Sequence, residues 1–161
     1  YAAMVDSAGL SLNKEVIPPL TGPFRPDLRL CSDVVLVKLT PGLNPEIFDM
    51  LLHMNYKGIV VEAFGAGGLH FIRRDLVSQL QKLVESGIAV VVCSQCLYER
   101  SDFSIYQTGR LALEKGVIQG FDMTSEAAVT KLMWALGQGM DQRAIARLFA
   151  RSLAGEITVG N

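Results

Sequence analysis

Few residues in this chain have both the type and the spacing to do chemistry. In Glu62-Ala-Phe-Gly-Ala-Gly-Gly68 a carboxylate stands at the end of an apolar run, just ahead of a glycine-rich turn. Glycines let the backbone approach a ligand or a neighbouring chain closely. A carboxylate in that place either receives an amine or closes a loop, and the residues alone weigh the two equally. The turn is no dinucleotide fingerprint. G-x-G-x-x-G needs a third glycine where position 70 is His, and this is not the first strand of its unit. A tight strand-to-helix turn is the expected structure.

Cys93-Ser-Gln-Cys96 has the CxxC spacing. A reactive pair of that kind opens a helix, whose N-terminus lowers a thiolate pKa. Here Cys93 continues a β-branched run, and residues 97–104 do not read as a helix start. A buried Cys93 and a loop-facing Cys96 are expected in place of redox chemistry. The two histidines, His53 and His70, have no metal-ligand spacing with any cysteine or carboxylate, so neither a metal nor a cofactor is expected. Ser94, Thr108 and Thr124 are nucleophiles by type only. No G-x-S-x-G elbow exists, Thr124 is better explained as a helix start, and Glu99 and Asp102 fall in a polar loop. The residues by themselves show no catalytic set.

The elements that must position these residues follow a repeating pattern. Asp33 to Leu39 is a β-branched run of buried-strand type, ended by Thr40-Pro-Gly42. Asn44-Pro-Glu46 starts a helix: a capping Asn, Pro at the first helical position and an acid in the first turn. Ile47, Met50, Leu51 and Met54 follow at helical spacing. Gly58 to Val61 is a second strand. A helix from about Ile72 to Ser86 carries Leu76, Leu80, Leu83 and Val84 on one face and ends at Gly87. Ile88 to Cys93 is the third strand, and a long polar loop runs from Ser94 to Ser104. Tyr106 to Lys115 is a helix, Val117-Ile118 a short fourth strand, and Asp122 or Thr124 caps a helix from about Ser125 to Leu136. Asp141 caps a last helix, Gln142 to Leu153, with Ile145, Leu148, Phe149 and Leu153 facing inward. Its Arg143, Arg147 and Arg151 form a solvated face.

Strands alternating with helices imply an α/β fold: a Rossmann-like parallel sheet of about four strands flanked by helices. In such sheets ligands bind at the carboxyl ends of the strands. Those ends are Thr40 to Gly42, Glu62 to Leu69, Ser94 to Ser104 and Gly120 to Met123. Residues 1–30 differ from the rest. Pro18-Pro19, Gly22-Pro23 and Pro26 break any periodic pattern, so an extended linker is expected there, with room for a short hairpin.

Composition bounds the function classes. Half of the 161 residues are hydrophobic and 19% are charged, which marks a folded chain with one sizeable core. A net charge of -1 with both signs interspersed gives no electrostatic footprint for nucleic acid or an anionic membrane. The longest apolar run, Ile88 to Cys93, is of strand length and well short of the roughly 18 residues of a membrane span. No signal peptide is visible, although a chain opening on Tyr1 need not carry its original start. Three cysteines make no disulfide framework, and a reducing compartment, the cytoplasm, is expected.

Several segments, taken in order, resemble the C-terminal domain of L-asparaginases, nearest to the cytoplasmic bacterial type. Pro18-Pro-Leu20 resembles the proline-containing linker before that domain. Tyr56-Lys-Gly-Ile-Val-Val-Glu-Ala-Phe-Gly-Ala-Gly-Gly68 looks like the family's strand and turn, G-I-V then G-x-G-N. Gly87-Ile-Ala-Val-Val-Val-Cys-Ser-Gln-Cys96 resembles the strand ending in T-Q-C or T-H-C. Tyr106-Gln-Thr-Gly109 and Gly116-Val-Ile-Gln-Gly-Phe-Asp-Met-Thr-Ser-Glu-Ala127 are similar to Y-x-x-G followed by G-V-I-x-G-x-D-M-T-x-E-A, and Thr130-Lys-Leu132 continues in register. Each motif is weak alone, and the ordered set spans nearly the whole chain.

The resemblance implies a two-domain enzyme that hydrolyses L-asparagine to L-aspartate and ammonia. Its threonine nucleophile, and the threonine-aspartate and lysine that support it, lie in a larger N-terminal domain. None of those motifs occurs here, so no catalytic residue is expected. By the same resemblance residues 1–30 are an interdomain linker and 31–161 the C-terminal domain. The expected partners are the protein's own N-terminal catalytic domain and further copies of itself, as a dimer or tetramer. In the cytoplasmic bacterial type this domain also contributes to an allosteric asparagine site between subunits. Carried over by position, that pocket is lined by Glu62, Gly65, Gly68, Ser94 and Cys96, with Tyr106 and Asp122 on nearby loops. Two positions depart from the family. Gly68 replaces the usual Asn and removes a side-chain contact to ligand. Glu62 stands where some bacterial members have Arg, and favours a ligand's ammonium over its carboxylate. Three other readings remain: the asparaginase-like subunit of a tRNA-dependent amidotransferase, a stand-alone amino-acid-binding regulatory module, and an oligomerisation domain without ligand.

Overall fold

The computed structural model describes residues 3–13, 22–65, 69, 75–96 and 107–158. Its centre is a four-stranded parallel sheet in sequential order: β3 (Val34–Lys38), β4 (Gly58–Ala63), β5 (Ala89–Ser94) and β6 (Ile118–Gln119). Helices α1 (Glu46–His53), α2 (Leu76–Glu85) and α3 (Gln107–Glu114) fall between successive strands. Helices α4 (Ser125–Gly137) and α5 (Gln142–Phe149) follow the last strand. Two short strands, β1 (Ala3–Asp6) and β2 (Gly9–Leu12), form an antiparallel hairpin ahead of them.

The sheet separates two cores because successive side chains on a strand point to opposite faces. Val37, Leu39, Ile59, Val61, Ala63, Val90 and Val92 meet α1, α2 and α3 through Phe48, Leu51, Leu76, Leu80, Leu83 and Ala112. Val60, Ala89, Val91, Cys93 and Ile118 meet α4 and α5 through Ala128, Leu132, Ala135, Ile145 and Phe149. Burial on both faces explains the unbroken apolar runs of β4 and β5, and each fully buried Val or Ile contributes about 1.5–3 kcal/mol. The same alternation sends Lys38 and Glu62 toward the α4 face, which matters for the site.

Helix ends follow from local chemistry. Asp75, Thr124 and Asp141 cap α2, α4 and α5, each side chain accepting the N–H of the residue three positions on. At the end of α2 the Gly87 N–H donates to Val84 and the Ile88 N–H to Leu83, with Gly87 at φ 89. This paired closure needs a left-handed residue, and glycine adopts it without steric cost. Asn44 starts α1 differently from a simple cap: its Oδ1 accepts from the Glu46 N–H at 3.3 Å, and Pro45 at the cap position has helical backbone angles.

Three expectations are corrected, and the first is the start of α2, which follows its cap Asp75 at Leu76 and not near Ile72. Helix α5 ends at Phe149, not Leu153, and Leu153 is exposed. The stretch 150–158 is held by its own hydrogen bonds, described below, and Arg151 therefore leaves the helical stripe of Arg143 and Arg147. On α1 the buried residues are Phe48 and Leu51, while Met50 and Met54 face solvent. The short hairpin allowed for in the N-terminal thirty residues is present at 3–12, and its Met4, Val5, Leu10 and Leu12 are exposed. Residues 29–31 lie across the end of α4: the Cys31 N–H donates to Met133, and a Cβ on Gly137 would collide with the Arg29 and Leu30 backbone.

Candidate functional site

The carboxyl ends of the parallel strands enclose a cleft of about 260 Å³, walled by Lys38, Glu62, Ser94, Gln95, Cys96 and the turn from Asp122 into the first residues of α4. Register builds its charged wall. Lys38 on β3 is paired directly with Glu62 on β4, so both side chains leave the sheet side by side. The Lys38 ammonium lies 3.2 Å from Glu62 Oε2. The Ser125 hydroxyl, at the start of α4, donates to Glu62 Oε1 at 2.5 Å. The Glu62 side chain is only 13% exposed, against 62% for Lys38. A polar group this enclosed needs partners, and Glu62 has both an ammonium and a hydroxyl. Its described contacts are internal ones, an ammonium from the neighbouring strand and a hydroxyl from the helix start.

A second set of bonds shapes the floor. The Gln95 side-chain amide donates to the carbonyls of Leu39 (2.8 Å) and Glu62 (3.0 Å), and its backbone N–H donates to Ala63. It ties the ends of β3, β4 and β5 together. The Ser94 hydroxyl donates to the Gly65 carbonyl at 2.6 Å and accepts the Cys96 N–H at 2.9 Å. Gly65 is thereby drawn to the strand end, with φ 49. Cys93 is buried against α4, and burial, followed by the nearby Glu62 charge, pushes its thiol up to about 12. It holds no thiolate at neutral pH, and Cys96 is exposed. The CxxC spacing therefore builds no redox pair here.

The far wall is the turn Gly120–Thr124. A Cβ on Gly120 would overlap the Cys93 sulfur and the Val92 carbonyl, so only glycine lets β6 turn this tightly against β5. Phe121 next to it has φ 54, uncommon for a residue with a side chain. Asp122 accepts the Thr158 N–H on both carboxylate oxygens at 3.0 Å. The N-terminus of α4 faces the cleft and brings the positive end of its dipole, complemented by Glu126, whose carboxyl is held below its usual value by its own backbone N–H and by Thr124.

Of the residues carried over by position, Glu62, Ser94, Cys96 and Asp122 line this cleft, and Gly65 is bonded to its edge. Gly68 and Tyr106 lie outside the described residues. Lys38, Gln95 and Ser125 were not anticipated. Lys38 had one available signal, a charge closing an apolar strand whose parallel neighbour ends in Glu62. Ser125 had none, being 63 residues from the carboxylate it touches. Among the described residues no three His, Cys, Asp or Glu side chains group as a metal site, and no helix is long and apolar enough to cross a membrane.

Fold and cleft together define a doubly covered parallel α/β domain with a small polar site at its strand ends. Residues 33–149 match the family model described as Glutaminase/Asparaginase C-terminal domain, and the chain belongs to that family. It is 43% identical over 132 residues to an L-asparaginase of Thermococcus kodakarensis, covering 82% of this chain and 40% of that protein. It is 42% identical over 132 residues to a glutamyl-tRNA(Gln) amidotransferase subunit of Pyrococcus furiosus, covering 82% of this chain and 30% of that protein. Among solved structures, the thermostable L-asparaginase from T. kodakarensis superposes with a TM-score of 0.81 at 38% identity, over 99% of this chain and 48% of that one. L-asparaginase I from Vibrio cholerae gives 0.79 at 27% identity, over 95% of this chain and 46% of that one. The chain thus spans less than half the length of each of these relatives.

Proposed function

We propose that this chain is the C-terminal domain of a longer amidohydrolase that converts L-asparagine and water to L-aspartate and ammonia. In this reading residues 1–30 link it to a preceding catalytic domain, and 31–161 are the domain proper. The cleft receives the zwitterionic head of L-asparagine or a similar amino acid as a regulatory ligand, as in the cytoplasmic bacterial type. The observation that supports the reading is the Lys38–Glu62 ion pair in the wall of one small polar cleft, opposite charges that a zwitterion binding there would have to share or displace. Exposed apolar residues on the hairpin and on the following segment, among them Val5, Leu12, Phe24 and Leu28, suit burial against the preceding domain or a second copy in a dimer or tetramer. Three free cysteines suit the cytoplasm.

The domain alone is inactive in this account. Among the described residues no cleft hydroxyl has a histidine beside it, and Ser125 is buried with its hydroxyl given to Glu62. Calorimetric titration of L-asparagine into the full-length protein and its Glu62→Gln variant tests the cleft. The variant should bind at least about tenfold more weakly, the scale of one lost charge-assisted hydrogen bond. Equal affinity in the two would reject the cleft as the binding site.

A second reading is favoured by the 42% identity to the amidotransferase subunit. In that case asparagine turnover would respond to addition of glutamyl-tRNA and the remaining subunits, which a self-sufficient asparaginase would ignore.

A further inference from the structure

The charged group buried deepest in the described part of this molecule lies outside the cleft. Lys131 is on the inner face of α4, between Ala128, Leu132 and Ala135, and its side chain is only 5% exposed. A buried ammonium without partners is prohibitively costly, so what surrounds it reveals its task. Its Nζ donates to Glu156 Oε1 (2.5 Å) and to the Arg151 carbonyl (2.6 Å), and lies 5.3 Å from the centre of the Phe149 ring. Glu156 in turn accepts the N–H groups of Leu153 and Ala154, the latter at 2.7 Å. The chain after α5 is therefore wrapped around one carboxylate and pinned to α4 through one ammonium.

That wrapping delivers the next two residues. Ile157 enters the core shared by α4 and α5. The Thr158 N–H then meets both oxygens of Asp122. Asp122 sits between Phe121, with its left-handed backbone, and the cap of α4. A left-handed non-glycine residue is strained and persists only where its surroundings hold it. Ser125, the hydroxyl donor to Glu62, follows three residues later. The family match ends at residue 149, so the pinned segment lies beyond it.

We propose that residues 151–158 brace the cleft wall from behind, and that Lys131 and Glu156 are positioning residues that hold Asp122 and the start of α4 in their binding geometry. The clasp acts through the Thr158–Asp122 bond, so loosening it releases the far wall while leaving the sheet intact. The ligand side of this inference rests on the function proposed above, and the mechanical side does not.

Amide hydrogen exchange on the full-length protein separates the two. In Glu156→Gln, exchange at residues 121–125 should rise about tenfold or more, the scale of one lost charge-assisted bond, with β4 and β5 protected as in the native protein. L-asparagine affinity should fall by a similar factor. Unchanged exchange at 121–125 while 153–158 loosens would overturn the proposal. If Glu156→Gln fails to fold, Asp122→Ala removes the acceptor that the Thr158 N–H uses and leaves Lys131 and Glu156 in place. It should free 121–124 and Thr158 while 153–156 stay protected, and native exchange at 121–124 would again overturn the proposal. Coupled exchange in a protein that binds no L-asparagine would uphold the positioning role and reject the ligand. Tight binding without coupled exchange would do the reverse.

Discussion

Glu62 shows how a single residue acquires a role from its register. A carboxylate at a strand end was visible in the chain, with an amine or a loop as its two possible partners. The parallel pairing of β3 and β4 sets Lys38 beside it, and the helix start at Ser125 supplies a second bond. Neither partner is near in sequence, and that is why the residue pattern left the choice open. The cysteines were more legible, because strand alternation alone places Cys93 inward. A labelling experiment checks the pair. A maleimide applied to the native protein should modify Cys96 and leave Cys93 untouched until denaturant is added, as peptide mass mapping would show. Native modification of Cys93 would contradict both its burial and its raised pKa.

Elements were read well where a period and a cap agreed. The glycine after α2 and the caps at Thr124 and Asp141 follow local rules that tertiary contacts do not overrule. The end of α5 was missed for the opposite reason. Leu153 continues the apolar period, yet the bond from Lys131 to Glu156 draws the chain out of the helix after Phe149. No local signal marks an ion pair between residues so far apart. Solvated Met50 and Met54 on α1 show that an apolar period does not fix which face is covered.

The tail also carries a pH signature. Burial alone would raise the Glu156 carboxyl, but the Lys131 bond and the backbone N–H groups of Ala154 and Leu153 outweigh it and hold the group down at about 2. A folded-state pKa below the unfolded value contributes stability above the unfolded value and loses it as pH falls toward the folded one. Wild type should therefore exceed Glu156→Gln by an amount of order 2 kcal/mol at neutral pH, discounted for the solvent still reaching the pair. That gap should close between about pH 4.5 and 2. Urea denaturation across that range measures it, and a gap independent of pH would refute the charge-based clasp.

At the scale of the molecule, the alternation of strands and helices made the parallel sheet legible, and the ordered motifs made the family legible. Partnership was not, since a period says which face is apolar and not what covers it. On the proposed reading, a domain that works joined to another buries the apolar residues exposed on the hairpin and along 24–30. Ammonia release from L-asparagine, measured side by side on the full-length protein and on residues 1–161 purified alone, tests that account most directly. It predicts turnover by the full-length protein and none by the 161-residue chain. Turnover by the chain alone, surviving rigorous purification, would contradict it, as would a folded full-length protein that releases no ammonia.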